Sequence, residues 1–448
     1  MLKKVLFIAY QIPPIGGAAA QRHIRFLTRL PALDWHPVVL TVDPACCEEY
    51  YPKDETLLSL LPSDIPIYRT KSFNPMDRLL KIKASMRRGC GDIAVRDRPA
   101  VGNSCHSSPY RNPVQFCKDI VTEIFRIPDR QIGWYLFAVL TGIRIIRKEE
   151  IKVIYSSGNP WTSHLVGMSL AKLSRLPWVA DFRDPWLHNP YKEKRFAFIA
   201  SIEKRMEKNV VKNASYVVAN TRPLQKQFRV SYPQIDPGKF IHISNGYLAS
   251  LFQNLQFKKN DKLVISHVGS LYSNRSPLPV LQAVANLKRA GLFSNDNFLL
   301  QFIGNISVSG VNQDLLLSMR IEDIVRFIPP VAHDKALNYM AGSDVLLIIQ
   351  PATKLQVPAK IFEYIAVGKT IFAITGEGAT ADLVKHENLG IVANPENIEE
   401  IENKLRFLQQ EYEKGILNEF YHKYSQEKFE SIPLTQKLVQ LFEACLNP

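Results

Sequence analysis

Short apolar runs alternate with helical patterns along nearly the whole chain, and this alternation limits the possible folds more than any other feature. Apolar runs of this kind are typical of parallel strands that are buried on both faces, and a helical segment after each strand is typical of βαβ units. The sequence therefore predicts the α/β class. The predicted strands are Val5–Tyr10, Val38–Val42, Val153–Ser156, Trp178–Asp181, Tyr216–Ala219 and Ile241–Ser244, followed by Leu263–Val268, Phe298–Ile303, Val325–Ile328, Asp344–Gln350 and Thr370–Thr375.

The strand pattern breaks near residues 246–260 and then restarts, which predicts two Rossmann-like domains. A chain of 448 residues with 46% hydrophobic content can form two cores, because single cores stop growing at roughly 250–300 residues. We predict an N-terminal domain at 1–245 and a second domain at 246–425. A C-terminal helix at 426–448 is expected to pack back on the N-terminal domain.

The chain is basic, with a net charge of +14 and a pI near 9.4, which suggests an anionic partner. A nucleotide, an acidic glycan, nucleic acid or a phospholipid surface would each fit. The charge is concentrated in a segment that we interpret as an insertion at about 69–125. Between Arg69 and Arg98 it carries nine Lys or Arg against three Asp or Glu, a net charge of +6. This segment is either a face that touches an anionic membrane or acceptor, or a solvated loop.

Several classes of protein do not fit the sequence. The six cysteines form no C-x-x-C pair and no metal-ligand spacing, so we expect reduced thiols, no disulfide and no metal site. The first apolar run is too short for a signal peptide. The longest apolar candidate, 132–146, contains Arg144 and falls short of the ~20 residues of a spanning helix. The expected location is the cytoplasm, with possible attachment to the inner face of the cell membrane.

The segment Val357–Lys369 has the pattern of a short helix that holds an anion. Pro358 suits the first helical position, and Gly368 suits the left-handed position just past the end. Lys360 then lies in the first turn, where a cation opposes the helix dipole unless an anion binds nearby. Glu363 follows on the same face. The alternative is an exposed Lys360–Glu363 pair, worth a few tenths of a kcal/mol.

With its flanking strands, this segment resembles the nucleotide-sugar site of family 4 retaining glycosyltransferases, in a subgroup with a P-x-K-x-x-E-Y helix followed by G-K. The resemblance implies the GT-B fold, two Rossmann-like domains with parallel sheets facing across a cleft. It implies transfer of a sugar from a UDP- or GDP-sugar to a hydroxyl of a surface polysaccharide or lipid-linked oligosaccharide, with retention of configuration. It places Glu363 on the ribose hydroxyls. The donor is a substrate, and no separate cofactor, metal or nucleic acid is implied.

The resemblance also assigns a diphosphate site to the loop Gly269–Arg275. The family has an arginine after the glycine and a lysine further along. Here Ser270 replaces the arginine, and Arg275 stands for the lysine. We expect Arg275 and Lys360 to stabilise the departing diphosphate, since guanidinium and ammonium groups bind phosphate oxygens. Lys360 would restore the charge that is missing at Ser270.

In the first domain, Gly16 and Gly17 match the glycine-rich loop that faces donor and acceptor. Asp181, Arg183 and Asp184 follow a predicted strand, and such charges are costly to bury unless they pair with one another or act in a site. Arg183 stands where many family members have a histidine. This leaves Asp181 or Asp184 as the candidate partner of the acceptor hydroxyl.

One further departure concerns the sugar ring. The family's second glutamate is absent, and Leu355 stands in its place, so we expect backbone groups of 355–358 or the side chains of Thr380 and Asp382 to hold the sugar. Two other functions stay open. One is a nucleotide-sugar epimerase on the same fold, and the other is a catalytically inactive scaffold or binding protein.

Overall fold

The structure is a computed structural model, and it divides the chain into two compact units. The first contains Met1–Asn220, Gln225–Ile243 and Thr435–Pro448, and the second contains Thr221–Leu224 and Ser244–Leu434. Most of the predicted basic insertion lies outside the described residues. The structure describes residues 2–48, 51–73, 120, 122–190, 195–257, 259–272, 274–351, 353–417 and 423–447.

The first unit is built on a parallel sheet of seven strands. Its central strands are buried on both faces, which explains their apolar sequences. The strand order is β3-β2-β1-β4-β5-β6-β7, so the order reverses between β1 and β4 as in doubly wound folds. The strands are β1 Lys3–Ile8, β2 Trp35–Val42, β3 Ile67–Thr70, β4 Val153–Gly158, β5 Trp178–Phe182, β6 Tyr216–Ala219 and β7 Phe240–His242.

Helices connect these strands, and the last helix of the chain, Ser431–Leu446, also packs in this unit from Thr435 onward. The connecting helices are α1 Ala18–Arg29, α2 Tyr135–Lys148, α3 Thr162–Ser174, α4 Ala197–Asn213 and α5 Arg222–Ser231. In the last helix, Glu443 accepts hydrogen bonds from Lys3 (2.7 Å) and from the Trp35 indole (2.8 Å). The neighbouring Phe442 is fully buried against Trp35, so this helix contributes to the core of the first unit.

The second unit is built on a parallel sheet of six strands with the order β12-β10-β8-β13-β14-β15, which reverses between β8 and β13. A separate parallel pair is formed by β9 and β11. The strands are β8 Leu263–Val268, β9 Leu271–Tyr272, β10 Phe298–Ile303, β11 Ile306–Ser307, β12 Val325–Ile328, β13 Val345–Ile349, β14 Thr370–Ile374 and β15 Gly390–Ala393. The helices are α6 Leu278–Arg289, α7 Gln313–Met319, α8 His333–Ala341, α9 Lys360–Val367, α10 Ala379–His386, α11 Ile398–Glu413 and α12 Lys423–Phe429. The last helix, α13 Ser431–Leu446, belongs to the first unit from Thr435 onward.

Two parallel α/β units confirm the predicted fold class. Each predicted strand overlaps an observed one, whereas β3, β15 and the two-residue strands β9 and β11 were not predicted. The helix predicted at 358–367 begins at Lys360, and Pro358 lies in the turn before it. Gly368 ends this helix in the predicted left-handed conformation, at φ 72°. Among the described residues, no helix is both long enough and apolar enough to cross a bilayer.

Candidate functional site

The carboxyl ends of β8 and β13 meet at the point where the strand order of the second unit reverses. Ligands of open α/β sheets bind at such points. Two side chains tie the strand ends together. His267 of β8 bonds through Nδ1 to the Leu347 carbonyl of β13 (2.9 Å), and the Tyr364 hydroxyl of α9 accepts the Val268 N–H (2.9 Å). The switch point is therefore fixed by buried polar groups.

The backbone after β8 leaves no room for a side chain. Gly269 has φ +119°, and a Cβ built there would lie 2.5 Å from the Lys360 Nζ. A Cβ on Gly304, at the end of β10, would lie 2.7 Å from the Gly269 carbonyl carbon. Both positions favour glycine because φ is positive at each (+139° at Gly304), and at Gly304 the backbone of Gly269 also fills the space of a side chain.

Lys360 is the first residue of α9, and its side chain reaches into this junction. The His267 Nδ1–H is donated to a carbonyl oxygen, so its Nε2 is an acceptor, and the Lys360 amine donates to it at 3.1 Å. Burial of the amine and, after it, the charge of Arg275 lower the pKa of Lys360, Glu363 raises it, and the resulting pKa is about 7. Burial and the charge of Lys360 hold the pKa of His267 well below its usual range, so its imidazole is neutral.

The predicted phosphate-binding side chains converge here. Arg275 lies over the ring of Tyr272, with its guanidinium carbon 4.7 Å from the ring centre. Its charge acts on the Lys360 amine and helps to lower the pKa of that amine. Ser270 is exposed directly after Gly269. The result is a site with two close cations, in which the hydrogen-bonding partner of Lys360 is a neutral ring.

The backbone at the start of α9 contributes less to anion binding than we predicted. The N–H groups of Ile361 and Phe362 donate to the carbonyls of Pro358 and Ala359, each at 3.1 Å. These two groups are therefore satisfied within the turn. At this helix end, positive charge for a ligand is supplied chiefly by the side chain of Lys360.

Glu363 contacts α8 and not Lys360. Its Oε1 accepts a hydrogen bond from His333 Nε2 at 3.1 Å, and its side chain is 20% exposed. The Lys360 and Glu363 side chains thus have different partners, which disagrees with the alternative of a simple surface pair. Glu363 is held by a neighbouring helix and stays accessible to a ligand.

Thr380 fixes the loop that precedes α9. It is buried, and its hydroxyl donates to the Gln356 carbonyl at 3.3 Å. One residue earlier, the Ala379 N–H donates to the Lys354 carbonyl at 2.9 Å. The Thr380 hydroxyl therefore holds residue 356, which lies in the segment 355–358 that we expected to face the sugar, and the Ala379 N–H holds residue 354 just before it.

The glycine loop of the first unit follows β1. The Gly16 N–H donates to the Pro52 carbonyl at 2.7 Å, which closes the loop. Gly17 precedes α1 with φ +101°, and a Cβ at this position would have no heavy atom within 4 Å. Gly17 is therefore required for its backbone conformation, and the space above it is open within the described residues.

Asp181, at the end of β5, lies in a closed network. Arg22 of α1 forms two hydrogen bonds with its carboxylate, at 2.9 and 2.8 Å, and both side chains are fully buried. The hydroxyls of Tyr155 (2.6 Å) and Ser157 (3.2 Å) also donate to it. Burial raises the pKa of Asp181, but the charge and hydrogen bonds of Arg22 outweigh burial and lower it.

Arg183 and Asp184 form a second group. Arg183 Nη1 lies 3.2 Å from Asp184 Oδ2, and the two side chains are 11% and 21% exposed. Arg183 also donates to the Asn159 carbonyl at 2.9 Å. The three candidates predicted around β5 are thus divided between one buried network, which holds Asp181, and one partly exposed ion pair.

Two residues of these sites were missed in the sequence. His267 interrupts an apolar strand, and a polar residue inside a strand that is buried on both faces is a usable signal. Arg22 lies on the buried face of α1 among apolar residues, which also indicates a buried charge partner.

Two family models match the chain. Residues 250–428 match glycosyl transferases group 1, and residues 104–247 match Glycosyltransferase Family 4. Together they support a glycosyltransferase of the GT-B, family 4 type. No curated protein matches the chain in sequence.

Solved structures share the fold over nearly the whole chain. Sucrose-phosphate synthase from Thermosynechococcus elongatus has a TM-score of 0.65 at 14% identity, covering 99% of each chain. Anabaena Alr3699/HepE in complex with UDP has a TM-score of 0.63 at 16% identity, covering 99% of this chain and all of the other. A glycosyltransferase from Rickettsia africae has a TM-score of 0.62 at 15% identity, covering 99% of this chain and 98% of the other. At these identities the likeness establishes the GT-B fold.

Proposed function

We propose that this protein transfers a sugar from a UDP- or GDP-sugar to a hydroxyl of a surface polysaccharide or lipid-linked oligosaccharide, with retention of configuration. The observation that carries the proposal is the pair of cations, Lys360 and Arg275, at the strand switch point of the second unit. A buried amine beside a guanidinium is unfavourable, and a bound diphosphate would compensate the charge of the amine.

The chemistry follows from where charge develops. When the bond between the sugar and the diphosphate breaks, negative charge grows on the departing phosphate oxygen. Lys360 and Arg275 are positioned to stabilise that charge before the reaction begins, which is the most effective form of electrostatic catalysis. Glu363, oriented by His333, would accept hydrogen bonds from the two ribose hydroxyls.

In the first unit we assign different roles to the predicted catalytic residues. Asp181 is enclosed by its partners, so we propose that it holds Arg22 and Tyr155 in place and does not touch substrate. Asp184 and Arg183 are partly exposed, and we propose that they contact the acceptor hydroxyl. Gly16 and Gly17 would let a ligand approach the backbone before α1.

Acceptor-dependent release of nucleotide tests the proposal. The protein is incubated with a panel of UDP- and GDP-sugars, with and without lipid-linked and polysaccharide acceptors, and free nucleotide and sugar isomers are measured. We expect nucleotide release that requires an acceptor and retains the anomeric configuration. A new sugar isomer without acceptor would instead establish an epimerase, and binding without turnover would establish a scaffold.

We also propose peripheral attachment to an anionic membrane on its cytoplasmic side. Helix α2 exposes Leu136 (68%) and Leu140 (59%) on one face, and Arg144 and Arg147 are exposed one and two turns later. Apolar side chains beside basic groups are typical of surfaces that enter the lipid interface. The net charge of +14 favours the same partner.

Vesicle flotation tests this attachment. We expect binding to vesicles that contain anionic lipid, and release as salt brings the Debye length below ~8 Å. The double variant Leu136→Ser, Leu140→Ser should bind weakly. Leu317→Ser, which removes a 57% exposed leucine from the second unit, should bind like the wild type. Failure to bind anionic vesicles at low salt would end this part of the proposal.

A further inference from the structure

His267 has no role so far in nucleotide-sugar binding, yet its ring accepts a hydrogen bond from the Lys360 amine. Both of its ring nitrogens are engaged, Nδ1 with the Leu347 carbonyl at 2.9 Å and Nε2 with Lys360 at 3.1 Å. The ring is also packed near Phe302 of β10. Its orientation is therefore set by two neighbouring strands, and this orientation sets where the amine points.

We propose that His267 is a positioning residue for the donor: its imidazole holds the Lys360 amine over Gly269, so that the amine meets the diphosphate of a nucleotide sugar and takes up protons as that diphosphate binds. This inference rests on the proposed function, because it requires a diphosphate at the switch point. It goes further by predicting a change of protonation when the donor binds.

Burial and the charge of Arg275 favour the neutral form of the amine while the site is empty. Arg275, on the loop after β9, repels a second positive charge. His267, on β8, offers a lone pair and no charge. Glu363, on the same helix, attracts a proton, but its carboxylate is bonded to His333 of α8. Burial has the largest effect, and the net pKa of Lys360 is about 7.

A diphosphate reverses this balance, because it places negative charge where Arg275 and Lys360 face each other. The pKa of Lys360 then rises, and above pH 7 the bound protein holds more protons than the free protein. Because binding takes up protons, donor affinity falls as pH rises above 7. With a free pKa of about 7, the loss is roughly fivefold between pH 7 and 8 and approaches tenfold per further unit.

Calorimetry in buffers of different ionisation enthalpy measures this proton. The probes are intact UDP- and GDP-sugars, whose diphosphate has no terminal phosphate that would titrate near pH 6. For the wild type at pH 8 we expect uptake of roughly 0.9 proton per bound donor, falling to about 0.1 at pH 6. Lys360→Arg, which is charged at every pH, should bind without this uptake, and Lys360→Met should also lack it. Any contribution from His333 stays in both variants, so the difference isolates Lys360.

Two substitutions test the roles of the two ring nitrogens of His267 separately. In His267→Asn the amide can still donate to Leu347 but offers no acceptor to Lys360. In His267→Gln the longer amide can place its oxygen near the Nε2 position. We expect Asn to lower kcat about tenfold more than Gln, with little difference in KM. Asn should also abolish proton uptake, since the released amine turns to solvent and is already charged. Thermal unfolding of both variants controls for folding.

The outcomes distinguish the two proposals. Donor binding without buffer-dependent enthalpy in the wild type, or equal proton uptake in the wild type and Lys360→Met, would overturn the inference and leave the proposed function standing. Equal activity and equal proton uptake in the Asn and Gln variants would overturn the positioning role of His267. If no UDP- or GDP-sugar binds at all, both proposals are wrong.

Discussion

The two units have the same kind of strand order, yet they treat charge near the switch point in opposite ways. In the first unit the buried carboxylate of Asp181 is matched by the guanidinium of Arg22 and by two hydroxyls. In the second unit the buried amine of Lys360 donates to a neutral imidazole and lies near another cation, Arg275. The first charge is compensated within the protein, and the second awaits a ligand.

This difference indicates that the Arg22–Asp181 network serves stability and that the Lys360 site serves binding. A buried charge that loses its only strong partner costs several kcal/mol, whereas a matched buried pair roughly offsets its own desolvation. Lys360 keeps part of that cost in the empty protein. An anion that binds there removes this unfavourable free energy, which adds to its binding affinity.

The largest effect should come from breaking the matched pair. Arg22→Met leaves the Asp181 carboxylate buried without its cation, and we expect the free energy of unfolding to fall by about 3–5 kcal/mol in urea denaturation. The double variant Arg22→Met, Asp181→Asn should recover part of the loss. A single variant as stable as the wild type would show that the network is not an ion pair in solution.

The same kind of substitution in the second unit should have the opposite consequence. Lys360→Met removes an uncompensated buried charge, so the free energy of unfolding should change by less than about 1 kcal/mol or rise. We expect kcat to fall roughly 100-fold, far more than the donor KM rises, because the charge acts chiefly on the leaving group. Lys335→Met, at an exposed position of α8, should be unaffected.

A second substitution sharpens this result. Ser270→Arg combined with Lys360→Met should recover part of the lost turnover, since position 270 follows Gly269 at the same site. Turnover of Lys360→Met close to that of the wild type would instead mean that Lys360 has no part in catalysis.

A smaller effect is expected at Glu363. Glu363→Ala should weaken nucleotide-sugar binding by about 1–3 kcal/mol, because two charge-assisted hydrogen bonds to the ribose are lost. Calorimetry measures the affinity, and a matched titration with the sugar monophosphate, which lacks the ribose, should show no change. Unchanged affinity for the nucleotide sugar would contradict the ribose assignment.

The smallest effect should appear at low pH. The folded-state pKa of Asp181 is lowered, so its contribution to stability is complete above the unfolded pKa of about 3.9 and is lost as pH falls through the folded value. The stability difference between the wild type and Asp181→Asn should stay constant above about pH 5 and shrink below about pH 4. Lys360→Met should show no such convergence in acid.

The fold could be predicted to the extent that strands are buried on both faces. Strands such as β8 and β13 have apolar sequences because helices cover both sides. The missed strands β3 and β15 lie at sheet edges, are only partly buried and have four residues each, so any apolar run in them is short.

The candidate site residues were predicted from separate loops and helices, and the roles of Gly269, Arg275 and Glu363 come from the family resemblance. Gly269, Arg275, Lys360 and Glu363 each carry a local signal, and the structure places all of them in one unit. Their partners depend on contacts across the fold. The bond between Lys360 and His267 joins residues 93 positions apart, and the pair of Arg22 with Asp181 joins residues 159 positions apart. Local patterns contain no information about such pairings.

The last helix has a consequence for the order in which the molecule can be made. Phe442 reaches the ring of Tyr155, whose hydroxyl bonds Asp181, and the neighbouring Glu443 anchors Trp35. A ribosome completes the second unit, about 190 residues, before it supplies these side chains. At a translation rate of roughly 5–20 residues per second, part of the core of the first unit stays uncovered for on the order of 10–40 s. The first unit, whose residues come earliest in this sequence, is thus the unit that completes its core last.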